Sequence, residues 1–278
     1  LVNQIENRII LETYYEYGFK SRIGRTLEKS KASVLDFNLD LIDKAVEDLE
    51  LILKNEVGAL SHITKIDVYN FVQGLLLRLK KSGAIELNFL NSMIENDSTF
   101  MLYRANQPWA PGEGKETPAF LVLSRAPSKT FAYIGEKSWY NKWVRKTLVK
   151  DSLIGQMEVD IYLKTVEVLQ KHQILFSKET NKKEIAKKVA VFGLKDNFLS
   201  ISKDVVQVIC KKCGNKHSVS RGQFEKWDSM PCFNIHCTGE YEEDNKSSNF
   251  FGRLYSNGDI FRVFSSEHTR GTVFMIWS

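Results

Sequence analysis

All four cysteines of this 278-residue chain fall within 28 positions, as Cys210-x2-Cys213 and Cys232-x4-Cys237. Each pair lies in a turn-forming context: Cys213-Gly214-Asn215 in the first, Pro231-Cys232 and Cys237-Thr238-Gly239 in the second. Two such knuckles can fold together so that four sulfurs meet at the corners of a tetrahedron. Thiolates select zinc or an iron–sulfur cluster over hard cations. Two disulfides would use the same residues, but no apolar h-region with a cleavage site opens the chain, and a chain this long needs no staples. Buried free thiols would scatter along the sequence, and a redox dithiol needs one pair in a βαβ setting. The spacing therefore predicts a closed, structural Zn2+ site ligated by Cys210, Cys213, Cys232 and Cys237, with no open position for chemistry. His217 and His236 are close enough to exchange in as ligands and read as surface or packing residues.

Other stretches fail as catalytic motifs. "APGEGKET" lacks a phosphate loop's first glycine, where Trp109 stands, and its Ser or Thr after Lys115, where Glu116 stands. "EEDN" after Tyr241 resembles an acidic metal box, but no buried apolar strand leads into it, so it reads as a solvated loop. The five histidines show no metalloprotease spacing. No catalytic constellation emerges, and no ATP site is expected.

The length allows one large domain or two to three small ones. No apolar run approaches the ~18–20 residues of a membrane span, so no membrane partner is expected. A start at Leu1 without methionine reads as a segment of something longer, in a cytoplasmic protein. The net charge of +5 is unevenly spread: residues 1–60 carry −3, 61–100 balance, 101–150 carry +6, and 151–200 and 201–278 carry +1 each. A local basic excess is the usual footprint of a polyanion contact, although a solvated basic face would look the same.

Elements that would position these groups follow from periodicity. Residues 1–19 read as a helix ended near Gly18, and "LDLIDKAVEDLELILKNEVGAL" as a long amphipathic helix. "ITKIDVYNFVQGLLLRLKKSGAI" reads as a helix capped by Thr64 with Asp67, turning Phe71, Leu75, Leu76 and Leu79 inward. Strands at "ELNFL" and "TFMLYRA" would complete a winged-helix outline. It recurs as a helix over 158–175 and strands "LFSKE" and "VAVFGL" around the lysine-rich "TNKKEIAKK". Between the two lies a segment with four of the five prolines, ending in a basic, aromatic helix over Ser138–Val149. Trp139 and Trp143, four apart, share a face there and read as core. "FFGRLYSNGDIFRVF" signals a hairpin around Ser256-Asn257-Gly258-Asp259.

Three stretches, "EYGFKSRIGRTLEKS", the paired cysteines and "FFGRLYSNGDIFRVFSSEHT", resemble the large DEAD/DEAH-box-type helicases of superfamily II in bacterial anti-phage defence, of the Druantia and DISARM kind. The resemblance implies a segment between two RecA-like motor lobes of an ATP-dependent helicase or translocase. Where that family continues into the second lobe, this chain has "RGTVFMIWS".

The expected fold class is α+β, with two winged-helix-like units, a four-cysteine zinc knuckle and a β-hairpin. The boundaries are 1–103 for the helical entry and first unit, 104–150 for the Pro-rich linker and basic helix, 151–203 for the second unit, 204–245 for the zinc module, and 246–278 for the hairpin and tail. The expected role is non-catalytic binding of a nucleic-acid backbone, DNA above all. Arg22, Arg25, Arg78, Lys80, Lys81, Lys142, Arg145, Lys146, Lys182, Lys183, Lys187 and Lys188 are the nominated contacts. The alternative is a module docking the RecA-like lobes or a partner protein of a defence complex.

Overall fold

The computed structural model describes residues 2–17, 27–96, 118–125, 131–149, 157–180, 189–227 and 230–245, with the backbone of 263–268 and 271–276. Helix α1 (Val2–Glu16) buries Leu11 and exposes Val2, Ile5, Ile9 and Ile10. Strand β1 (Val34–Phe37) precedes α2 (Leu39–Glu56), which Asn38 caps by accepting the Leu41 N–H. Buried Ile42, Ala45, Val46, Leu49 and Leu53 recur every three or four residues and so share one face of α2. Helix α3 (Lys65–Lys81) opens on the expected reciprocal capping box of Thr64 and Asp67. Phe71, Leu75, Leu76 and Leu79 are fully buried, and α3 is covered on nearly every side.

Next come α4 (Asn91–Asn96), β2 (Leu121–Val122), β3 (Ala132–Tyr133) and α5 (Trp139–Thr147), the last capped by Ser138. Helix α6 (Met157–Lys171) leads into β4 (Leu175–Thr180), β5 (Val189–Leu194) and β6 (Leu199–Ser202). Strand β7 (Val205–Cys210), β8 (Lys216–Ser220), the single turn α7 (Arg221–Phe224) and β9 (Tyr241–Glu243) carry the cysteines. Strands β10 (Val263–His268) and β11 (Gly271–Ile276) form an antiparallel hairpin.

The architecture is mixed α+β. One sheet has the order β3-β2-β5-β4, another β8-β7-β9, and β1 pairs with β6. Helix α2 packs on α3 and α6, and α5 packs on α3. A single buried cluster joins these helices to β4, β5 and the cysteine sheet. The contact of α3 with α5 is unusually close. A Cβ at Gly74 would lie 2.2 Å from the Trp143 ring, whose Nε1 donates to the Phe71 carbonyl at 3.0 Å.

Several expected elements differ. Residues 86–90 are no strand: Asn88–Leu90 form a 3-10 turn running into α4. Buried Leu90, Met93 and Ile94 follow helical spacing, which outweighs the local alternation. The expected second helix stops at Lys171, because Gln173 takes φ 60° and turns the chain into β4. The β4–β5 hairpin is present, registered from Leu175↔Leu194 to Thr180↔Val189. "TFMLYRA", the Ser256–Asp259 turn and the lysine-rich wing over 181–188 lie, wholly or in the turns concerned, outside the described residues. The described C-terminal hairpin instead pairs Val263 with Ile276, drawing in the stretch read as a tail.

Candidate metal centre and the groove beside it

Cys210 ends β7, and Cys213 follows in a turn that Gly214 closes at φ 69°. The Gly214 N–H donates to the Cys210 carbonyl at 3.0 Å, and the Cys210 N–H to the Asn215 carbonyl at 2.8 Å. In the second knuckle the Cys232 N–H reaches the Gly239 carbonyl and the Cys237 N–H the Asn234 carbonyl, both at 2.9 Å. These two turns bring the thiols together across the knuckles. Sγ–Sγ distances are 3.6 Å for Cys210–Cys237 and 3.5 Å for Cys213–Cys232, and all four lie within 4.8 Å of one another.

A tetrahedral ion with metal–sulfur bonds of about 2.3 Å sets the sulfurs about 3.8 Å apart, whereas a disulfide needs about 2.05 Å. The four cysteines can hold one metal ion and are not bridged. Their compactness leaves no room for the bridging atoms of a multi-iron cluster. Backbone donors favour thiolate here. Burial opposes ionisation of Cys210, but the N–H groups of Cys213 and Lys212, with the thiols of Cys232 and Cys237, bring it down to about 7. Burial raises Cys232. A cation at the centre would favour thiolate at every position. Gly239 is sterically required, since a Cβ there would stand 2.7 Å from the Cys210 Sγ.

The nominated cations separate into distinct environments. Lys80 is a correction: it is 3% exposed, pairs with Glu28 at 3.0 Å and donates to the Leu35 carbonyl at 3.0 Å, so its head cannot meet a phosphate. Lys146 is another. Its ammonium donates to the carbonyls of Cys232, Asn234 (3.2 Å) and Cys237 (2.7 Å), clasping the second knuckle. Burial of that head lowers its pKa, and the facing thiols oppose the shift. Arg145 gives Nε and Nη2 to one oxygen of the buried Glu158, at 3.0 and 2.7 Å. Lys142 is half-buried, and Arg78 is exposed with its guanidinium 5.4 Å over the Trp139 ring. Lys81 sets its head against His217 Nδ1 at 2.7 Å. Arg22, Arg25, Lys182, Lys183, Lys187 and Lys188 lie outside the described residues.

No family model, curated protein or solved structure matches the chain.

Trp143 is core as expected, whereas Trp139 is half-buried at the edge of the core. Trp143 is fully buried and stacked on Trp139, whose Nε1 donates to the Phe233 carbonyl at 3.2 Å. Between α3, α5 and the knuckles lies a groove of about 210 Å3, lined by Arg78, Lys81, Trp139, Asn215, His217 and Asn234, among others. Sequence reasoning missed both asparagines. Their signal was their place, each two residues after a cysteine in a knuckle turn, where side chains project from the loop. Among the described residues no helix is long and apolar enough to cross a membrane.

Proposed function

We propose that this chain is the non-catalytic, DNA-backbone-binding segment of an ATP-dependent superfamily II helicase or translocase of anti-phage defence, with structural zinc at the four-cysteine centre. The observation that carries the reading is a groove lined by Arg78 and Lys81 and by no carboxylate. Lys54, Lys65, Lys171, Lys178, Lys216, Arg221 and Lys226 each have a carboxylate partner. Arg78, Lys81 and Lys142 have none among the described residues, nor do Lys44, Lys137, Lys195, Lys203 and Lys212; Arg78 and Lys81 differ in lining one groove, against the knuckles. Lys142 lies three residues after Trp139 and four before Lys146, hence on the same side of α5. Cations gathered in a groove that holds no carboxylate are suited to phosphates and carry no sequence information. In this reading α6 and the β4–β5 hairpin form the helix and wing of a winged-helix-like unit.

The test is binding of unrelated DNA duplexes as a function of salt. Affinity should fall steeply with ionic strength, and Lys142→Glu should weaken all sequences alike while reducing the slope by about one per lost contact. Affinity that ignores salt, or a variant indistinguishable from wild type at low salt, would count against it. A second reading, docking of a motor lobe or partner protein, draws support from the exposed Val2, Ile5, Ile9 and Ile10 of α1.

A further inference from the structure

We propose that the groove between α3 and the two knuckles is a phosphate subsite, holding one phosphate group of a bound nucleic-acid strand through Arg78, Lys81, Asn215 and Asn234. The inference rests on the backbone-binding reading above and assigns it a place. It follows from counting hydrogen-bonding capacity along the wall. The Asn215 Oδ1 accepts from the Tyr241 hydroxyl at 2.8 Å, and that hydroxyl already accepts the Phe233 N–H at 3.2 Å. The Asn234 Oδ1 accepts the His236 N–H at 3.1 Å. Each partner fixes the amide's orientation, so what each asparagine has left is its NH2 group. Nearby acceptors are likewise taken. The Phe233 carbonyl receives Trp139, the Asn234 carbonyl receives Lys146 and Cys237, and the Asn215 carbonyl receives Cys210. Arg78 and Lys81 add donors and positive charge, and no carboxylate lines the groove.

A wall of donors with a net positive charge selects a ligand made of acceptors, and a phosphate oxyanion is that ligand. The aromatic residues explain why a phosphate is bound and not a base. Trp139 is stacked on Trp143 and carries Arg78, while Phe233 packs against Trp143, His217, Trp227 and Tyr241. Neither offers a free face for stacking. Because both asparagines sit in the knuckles, the subsite exists only while the metal centre holds its turns.

The test uses the full 15N-labelled chain, titrated separately with inorganic phosphate and with a short oligonucleotide duplex lacking terminal phosphates. Both should shift the side-chain NH2 signals of Asn215 and Asn234, and phosphate should compete with the oligonucleotide. Asn215→Asp and Asn234→Asp keep the accepting oxygen and replace the donor with a charged acceptor. The double variant should lose at least about tenfold in oligonucleotide affinity at unchanged metal content, and Arg78→Gln, away from the knuckles, should act in the same direction. Oligonucleotide binding that persists undiminished in these variants, with no shift of the Asn215 and Asn234 amides in the wild-type chain, overturns the subsite and leaves the broader reading standing. If inorganic phosphate shifts the amides and no oligonucleotide binds, the oxyanion site stands for free phosphate compounds and the backbone reading falls. If neither ligand shifts them, the subsite is wrong.

Discussion

Lys80 and Lys81 are adjacent, and their environments are opposite. Lys80 lies over Glu28 and the Leu35 carbonyl, while Lys81 turns toward His217 at the groove. The Lys81 side chain as a whole is exposed, but crowding of its head removes water and lowers its pKa to about 8; Glu28 opposes the shift, and Lys80, Arg78 and Lys29 add to it. Burial and the facing lysines hold His217 well below the usual imidazole range, so it accepts from Lys81 as the neutral ring. An amine whose folded pKa lies below its unfolded value binds fewer protons when folded, so stability rises with pH across the window from about 8 to about 10.4. Urea denaturation should therefore show wild type gaining on Lys81→Met between about pH 7.5 and about pH 9.5. A difference that stays constant with pH would contradict the assignment. The sequence could not tell the two lysines apart. Helical periodicity sets them about 100° apart, but which one meets Glu28 depends on how β1 and residues 27–33 pack over α3. The cysteines were legible because their spacing alone constrains four sulfurs to meet.

Elements were legible where local chemistry marks their ends. Thr64 with Asp67, and Ser138, start α3 and α5 as their residue types indicate. Residues 86–90 were misread because a few alternating apolar residues fit a strand or a 3-10 turn equally well, and the burial of Met93 and Ile94 decided it. Gly74 is a further case in which the sequence shows a weakness and the structure shows its use. A mid-helix glycine costs about 1 kcal/mol relative to alanine, so propensity alone predicts that Gly74→Ala stabilises α3. The Trp143 ring occupies the space that the methyl needs, and its Nε1 bond to Phe71 holds it there. The substitution should instead cost about 1–3 kcal/mol through overpacking, lowering the thermal midpoint and shifting tryptophan emission. A more stable alanine variant would show that α5 can move away freely.

Across the whole molecule, the four-cysteine module is built into the helical core and is not an appended bead. Lys146 of α5 clasps its second knuckle, Trp139 donates to Phe233, Ser218 donates to the Glu28 carbonyl at 2.6 Å, and Lys226 pairs with Asp43 at 2.9 Å. Metal binding to a cysteine cluster is coupled to folding of the turns that carry it. Removing an ion held there would leave four crowded thiols and free Lys146 and Trp139 from the carbonyls that hold them. Helices α2 and α3 keep the Leu49, Leu53, Leu75 and Leu76 contacts that need no metal. Elemental analysis should give about one zinc per chain. Treatment with a strong chelator should then abolish amide-exchange protection across 205–245 and weaken it in α5, while α2 and α3 stay protected. Loss confined to 205–245 would mean that the clasp by Lys146 carries little coupling, and loss throughout would make the metal a requirement for the entire fold.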